Sequence, residues 1–510
     1  MDITLIHPYP DPSAYGLRVL RAVLKRDGHR VRFVNLPDFT GDEATVAVER
    51  AARRYPRRAL DQLCDVVADS DIVGVSLMTN FFATAVEITT AIRRELPEKL
   101  IVWGGIHPTI RPDECLDHCD VAVVGEAEDS MRELARRVEA GEDWSDVPGL
   151  AFRRGSELVE TAIPPLQTEL DQLPAPDIVA EDQWLLHDGE LMPVSDDVYV
   201  QMMARTTASA LYGKVGYQTM TSRGCPHRCA YCVNSTIRGL YPGQRYVRFR
   251  SVESVIDELT AVLRRYPQVD YMWFSDDVFF ARPLKDLQRF SALYLEKIGL
   301  PFYMLASPTS LTEEKYKTLV DAGLHHIQMG IESGSPRIQE VFQRERMGND
   351  KVLKAAKIIA KYADQTQVPY YDFITNIPWE DDEARRETLQ LIAQLPKPFK
   401  LQLFSLVLYP ATVAYDRACT EGKIAPAERE LYDGMYQVRD DTYLNLVLSL
   451  SSKGLVPGWL VAAMADNKLG PVISSPPVRV AEEATRRALK TVRRLRDFNR
   501  HYKKMTAMAS

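Results

Sequence analysis

Over the first 150 residues, short runs of consecutive apolar side chains alternate with segments whose apolar positions recur every three or four residues. The runs at 3–6, 31–34, 72–76, 100–103 and 121–124 read as strands, and 16–27 as an amphipathic helix between the first two. Strands that are apolar at nearly every position are buried on both faces, the signature of a parallel sheet covered by helices. The expectation is an α/β domain of Rossmann or flavodoxin-like type over residues 1–150. Pro164-Pro165 and Leu173-Pro174-Ala175-Pro176-Asp177 then interrupt regular structure, so 151–216 is expected to be a linker.

Strand–helix alternation resumes at Tyr217. Strands at 217–221, 271–277, 302–306, 326–333, 370–374 and 401–406, spaced by helices such as 252–265, 284–298 and 313–322, make six units. That pattern predicts a partial (β/α)6 barrel of TIM type over 217–420, with its chemistry where the strands end. Residues 421–510 read as a C-terminal helical domain that includes 436–450 and a basic segment, 486–504. In the latter, Ala488, Val492, Leu495 and Phe498 form one apolar stripe. Such a helix caps a domain or lies on an anionic membrane.

Composition narrows the class. The 510 residues, 45% hydrophobic and 26% charged, can build large cores and correspond to about three domains. A net charge of −7 argues against a general nucleic-acid binder. No run reaches the roughly 18 apolar residues of a spanning helix. The opening Met1-Asp2-Ile3-Thr4 lacks the basic start of a secretory leader. Seven cysteines, three of them close together, suit a cytoplasmic compartment that keeps thiols reduced.

Those three are the sharpest chemical signal. Cys225, Cys229 and Cys232 lie in Arg223-Gly224-Cys225-Pro226-His227-Arg228-Cys229-Ala230-Tyr231-Cys232. A [4Fe–4S] cube takes four thiolates, so a tight loop offering three leaves one iron open to a small molecule. A structural zinc site is the competing reading, with His227 as its nearby fourth candidate. Cys64, Cys115, Cys119 and Cys419 show no pairing for a second metal, and Cys115 and Cys119, one helical turn apart, read as packing residues. In the first domain the strand ends carry Ser76, Leu77 and Met78, then Gly104, Gly105 and His107, then Gly125 and Glu126. Glycines there let a bulky ligand approach the backbone.

The cysteine loop, with Tyr231 before its third cysteine, resembles the radical S-adenosylmethionine (SAM) superfamily. The resemblance implies that SAM chelates the open iron and is cleaved there to a 5′-deoxyadenosyl radical. It implies SAM contacts from Tyr231, from Asp276 and Asp277 after the second barrel strand, and from Glu332 and Ser333 after the fourth. Two stretches depart from the family pattern. Asn376, Trp379 and Asp381 stand in a Gly-x-Pro-Gly-Glu-Thr frame, and Ala411 replaces the glycine of a Pro-Gly-Thr after the sixth strand.

The N-terminal third resembles the cobalamin-binding domain of methyltransferases and mutases through Ser76 and Gly104-Gly105, which lie at suitable mutual spacing. Its Asp11-to-Gly16 loop has Ser13 where a cobalt-ligating histidine would stand, as in the cobalamin-binding radical SAM group. The resemblance implies cobalamin contacts from Tyr15, Gly16, Ser76, Leu77, Met78, Gly104, Gly105, His107, Gly125 and Glu126. His7 and His107 are candidate cobalt-side groups, although a lone histidine is more often a structural hydrogen-bonding residue.

Together these resemblances imply a cobalamin-dependent radical SAM methyltransferase. It would carry a methyl group from SAM by way of methylcobalamin to an unactivated carbon, or phosphorus, of a small biosynthetic intermediate. An external donor such as flavodoxin or ferredoxin would reduce the cluster. A non-methylating cyclisation, rearrangement or oxidation is the alternative, and a non-catalytic cobalamin or iron–sulfur sensor the third reading.

Overall fold

In the computed structural model of the chain, the described residues are 1–9, 13–36, 55–204, 213–424, 443–452, 454 and 456–466. The expected basic helix at 486–504 and the residues 436–442 lie outside them. The strand pattern of the first domain is realised as β1 (Asp2–His7), β2 (Arg30–Asn35), β3 (Ile72–Ser76), β4 (Leu100–Gly104) and β5 (Val121–Val123). All five pair in parallel, in the order β5-β4-β3-β1-β2. Both faces are apolar: Ile6, Val34, Val75 and Trp103 pack into one buried cluster and Leu5, Phe33, Val102 and Val123 into another.

Residues 151–216 are not a linker. They contain β6 (Leu150–Arg154), β7 (Glu157–Glu160), β8 (Gln183–His187) and β9 (Glu190–Pro193), which extend the sheet to nine strands. The two antiparallel hairpins sit on opposite edges, β6 on β5 and β8 on β2. The prolines do break the structure, but only in the coil between β7 and β8. The hairpin strands are four or five residues long, too short for their alternation to stand out from coil.

The second sheet holds the six parallel barrel strands in chain order: β10 (Gly216–Thr219), β13 (Tyr271–Phe274), β14 (Phe302–Ala306), β15 (Leu324–Glu332), β16 (Tyr370–Thr375) and β17 (Lys400–Ser405). A small antiparallel pair, β11 (Ser222–Arg223) with β12 (Arg248–Phe249), lies beside it. Outward side chains such as Met272, Phe274, Met304, Ile327 and Phe373 are buried beneath the helices. The inward residues Gln218, Trp273, Gln328 and Asp372 keep partial exposure. The barrel is therefore hollow, unlike a closed barrel filled by layers of side chains. Helices Tyr443–Ser451 and Gly458–Ala465 pack on Asp382–Gln394. No helix among the described residues is long and apolar enough to cross a membrane.

One buried acid anchors the first barrel strand. Glu258, 4% exposed, accepts hydrogen bonds from Tyr217 Oη at 2.9 Å and Thr219 Oγ1 at 2.6 Å and pairs with Arg250. Removing one partner of a buried pair strands the other, so Glu258→Leu is expected to cost about 3–5 kcal/mol. Glu253→Ala, which breaks only the exposed pair with Arg289, should cost about 1 kcal/mol or less in the same chemical denaturation measurement.

Candidate functional site

The cysteine loop is held from below. Asp276 is fully buried and accepts from the Thr221 amide at 3.0 Å, the Thr221 hydroxyl at 2.9 Å and the Ser222 hydroxyl. Its carboxylate thus fixes the base of the loop and faces no ligand space, which corrects its assignment as a SAM contact. Gly224 adopts φ +82°, and a Cβ there would strike the Tyr246 carbonyl oxygen, so only glycine makes this bend. Beyond it the loop is clamped by two amide bonds, Ala230 to the Phe342 carbonyl and Ala414 to the Ala230 carbonyl, both at 2.9 Å.

Cys229 is buried, while Cys225 and Cys232 are partly open. Burial pushes the Cys225 thiol up to about 12 and Cys232 to about 11. As free thiols they stay protonated, and a bound metal centre supplies the positive charge that ionises them. Arg344 Nη1 donates to Cys229 Sγ at 3.3 Å. His227 is held down to about 4 by burial and by the Arg344 charge, so its imidazole is neutral. Among the described residues, no three His, Cys, Asp or Glu side chains converge on a point that a single ion would fill. Three thiols with no fourth on one loop fit a cluster with separate irons and an open one.

Around the loop, Arg344 also donates to Tyr231 Oη at 3.2 Å and to the Gly330 carbonyl at 2.7 Å. Tyr231 packs edge-on against Phe342 with ring centroids 4.8 Å apart. Glu332 sits at φ +72°, a strained position for a side chain with a Cβ. Its carboxylate folds over Gly330, where an added Cβ would lie 2.6 Å from Glu332 Oε1. Burial raises the Glu332 pKa, against the pull of Arg344 and Tyr231. Asp277 is exposed at the mouth and accepts from Asn234 Nδ2 at 3.0 Å. Ser333 is turned away: its hydroxyl lies 3.3 Å from Thr388 Oγ1 and accepts from the Ser335 amide at 3.2 Å. Its side chain is therefore a turn-forming group, which corrects the SAM-contact reading.

In the first sheet, strand order changes direction at β1, between β3 and β2, and ligands on such sheets bind outside the strand ends at that crevice. A cavity of about 350 Å3 opens there. Of the residues singled out in the sequence, Tyr15, Gly16, Ser76, Gly104, Gly105, Gly125 and Glu126 line it. Leu5, Leu20, Val102 and Val123 form its apolar floor, and Met220, Arg223 and Gly224, at the root of the cysteine loop, form its opposite wall. An added Cβ on Gly105 would lie 2.8 Å from the Leu77 carbonyl, while Gly104 has no neighbour nearer than Val123 Cβ at 3.9 Å. Gly104 leaves open space that a side chain would fill.

Three expected contacts lie elsewhere. Leu77 is a fully buried core residue, Met78 is exposed on the outside, and neither lines the cavity. His107 is buried inside the domain, with Nδ1 3.1 Å from Thr79 Oγ1 and Nε2 3.5 Å from Glu114. It is a structural histidine. His7 packs edge-on against Tyr9 and does not line the cavity either. Asp11 and Pro12 are outside the described residues. Ser13 is seen, with its carbonyl accepting from Arg18 Nε at 2.7 Å.

Arg223, Arg248, Glu126 and Glu128 tie the two domains together, a role that no sequence signal marked for any of them. Arg223 reaches Glu126 at 3.2 Å and Glu128 at 2.5 Å, and Arg248 grips Glu126 at 2.6 and 3.0 Å. Burial opposes the Glu126 charge, yet Arg248 and Arg223 hold the carboxyl below the usual range. The Tyr241 hydroxyl adds a contact at 3.3 Å to the Glu126 amide. Arg223 stood beside the Gly-Cys step and Glu126 at a strand end read as a cobalamin contact, while Arg248 stood in neither motif.

Comparison with known proteins agrees with this geometry. Residues 219–392 match the Radical SAM superfamily and residues 1–135 the B12 binding domain. An uncharacterized methyltransferase of Pyrococcus horikoshii is 27% identical over 355 residues, covering 69% of this chain and 70% of the relative. The cobalamin-dependent radical SAM methyltransferase TokK of Streptomyces tokunonensis is 23% identical over 77% of this chain, which spans 57% of TokK. Among solved structures, the radical SAM methyltransferase TsrM of Kitasatospora setae, with cobalamin and a [4Fe-4S] cluster bound, shares the fold at a TM-score of 0.59 and 18% identity. That match covers 82% of this chain and 78% of TsrM.

Glu126→Gln removes the charge that both guanidinium groups share. It is expected to loosen the domain contact by about 2–4 kcal/mol, read as faster amide hydrogen exchange in β5 and in 222–250, with exchange at β2 and at β16 unchanged.

Proposed function

This chain is a cobalamin-binding member of the radical SAM superfamily, and we propose that it is a methyltransferase acting on a small biosynthetic intermediate. The observation that carries the reading is the shared cavity: the strand ends of the B12 binding domain and the root of the cysteine loop face each other across it. The cofactors are a [4Fe–4S] cluster, SAM and cobalamin. When bound, the cluster supplies one-electron cleavage of SAM and the cobalamin supplies methyl carriage.

The chain's own groups divide the work of holding them. Cys225, Cys229 and Cys232 hold the cluster, and the Arg344 hydrogen bond to Cys229 tempers the charge on that sulfur. Tyr231, Asp277 and Glu332 remain the SAM contacts, while Asp276 and Ser333 brace the loops that present them. An ammonium group offers donors only, which suits the open Asp277 carboxylate. Tyr15, Gly16, Ser76, Gly104, Gly105, Gly125 and Glu126 hold cobalamin. Position 13 is a serine and His7 and His107 do not line the cavity, so these positions place no imidazole in it. The substrate is a small molecule, and an external one-electron donor such as flavodoxin or ferredoxin reduces the cluster. The reading places the protein in the cytoplasm, whose reducing conditions keep cluster thiols available.

Two variants separate the cofactor sites. After anaerobic reconstitution, Cys229→Ala is expected to lose bound iron and all 5′-deoxyadenosine formation. Gly104→Leu, which fills the cavity, should keep iron and 5′-deoxyadenosine but lose cobalamin and with it S-adenosylhomocysteine. Wild-type protein that makes 5′-deoxyadenosine and, loaded with cobalamin, never S-adenosylhomocysteine would overturn methyl transfer in favour of a non-methylating reaction.

A further inference from the structure

Each barrel strand turns one polar or aromatic side chain inward at mid-length: Gln218, Trp273, Tyr303, Gln328, Asp372 and Gln402. Gln218 pairs with Trp273 and Trp273 with Tyr303 in register across the first three strands, and Asp372 with Gln402 across the last two. Part of this belt is closed on itself. The Tyr303 hydroxyl donates to Gln328 Oε1, and Gln328 Nε2 donates to Asp372 Oδ2 at 2.7 Å and to Gln402 Oε1 at 3.1 Å. Part is not. Asp372 Oδ1, Gln218 Oε1 and Trp273 Nε1 have no hydrogen-bond partner among the described residues, although buried polar atoms in folded proteins are nearly always paired.

Trp273 Nε1 calls for an acceptor, whereas Asp372 Oδ1 and Gln218 Oε1 are oxygens whose missing partner is a donor. The charge around them points the same way. The Glu332 charge acts on Asp372, and Arg344 is a basic group that acts on both acids. Burial and the Glu332 charge hold the Asp372 carboxyl well above its ordinary range, which a bound cation would reverse. Trp273 and Tyr303, with ring centroids 5.5 Å apart, give the same lumen an apolar wall.

We propose that Asp372, fixed by Gln328, is a specificity-determining residue that binds an ammonium group of the substrate, whose apolar body rests on Trp273 and Tyr303. The substrate class is thus a small amine. This rests on the methyltransferase reading of the same barrel and adds the chemistry of its substrate.

The test uses holoenzyme reconstituted with cluster, cobalamin and SAM, and three probes of one shape: 2-phenylethylammonium, 2-phenylethanol and 3-phenylpropionate. Ligand-observed NMR is expected to show the ammonium probe binding about tenfold tighter than the alcohol, the difference between a charged and a neutral hydrogen bond, and the carboxylate weakest. Asp372→Asn, which keeps size and the bond from Gln328, should remove that preference and leave SAM affinity and substrate-free 5′-deoxyadenosine formation within about twofold, a change too small to be an energetic contact. Equal binding of the three probes by wild type would overturn the proposal, as would loss of SAM affinity in Asp372→Asn, which would place the carboxylate in the SAM site. Failure of wild type to cleave SAM would instead overturn the proposed function, and the probe ranking would still be readable.

Discussion

The arrangement of the molecule depends on one buried ion network, Glu126 and Glu128 of the first domain against Arg223 and Arg248 of the second. Arg223 directly precedes the Gly-Cys step, so the group that ties the domains is also the start of the cysteine loop. Buried ion pairs add little net stability, because desolvation offsets most of the Coulomb gain, but a broken one is costly. What the network supplies is position: other docking angles would leave a carboxylate or a guanidinium buried and alone. It therefore sets how the strand ends of the two sheets face each other across the cavity.

Within the barrel, the same concern for unpaired polar groups produces a division of labour among acids. Asp276 and Glu258 are fully satisfied by protein donors and hold the first strand and its loop. Asp277, Glu332 and Asp372 keep capacity to spare at or below the barrel mouth. Neighbouring residues Asp276 and Asp277 thus differ in role because successive residues leaving a strand point to opposite sides. The hollow lumen follows from having six strands with open edges, so that the inward side chains are not packed into a closed core.

Two of the departures from the family pattern, Asn376 and Ala411, keep the left-handed backbone that glycine adopts readily. Asn376, at φ +57°, uses the residue type that tolerates the left-handed region best after glycine. Ala411 holds φ +60°, and its carbonyl accepts from Thr236 Oγ1 at 2.7 Å while Thr412 caps the next helix. Asp381 replaces threonine as an N-cap, accepting from the Ala384 amide at 2.9 Å. Trp379 adds bulk beside Tyr231, with its indole nitrogen donating to Glu421 at 2.5 Å.

The amino-acid sequence by itself determined the parallel strands of both sheets and the helices between them, the cysteine loop and the glycines at the cavity, because each is written in local periodicity or spacing, whereas the short hairpin strands β6 to β9 left no such signal. Helix 252–265 and strand 302–306 fall where the apolar pattern puts them. Tertiary structure alone decided which way the candidate side chains point. Asp276, Ser333 and His107 were legible as polar residues at strand ends, yet each is consumed by neighbours in the fold. Conversely, Arg344 meets Cys229 across 115 positions, Arg248 meets Glu126 across 122, and Asp372 meets Gln328 across 44. No local pattern encodes such pairings, since charge and hydrogen-bonding capacity are visible in a sequence but the partner that satisfies them is chosen by packing.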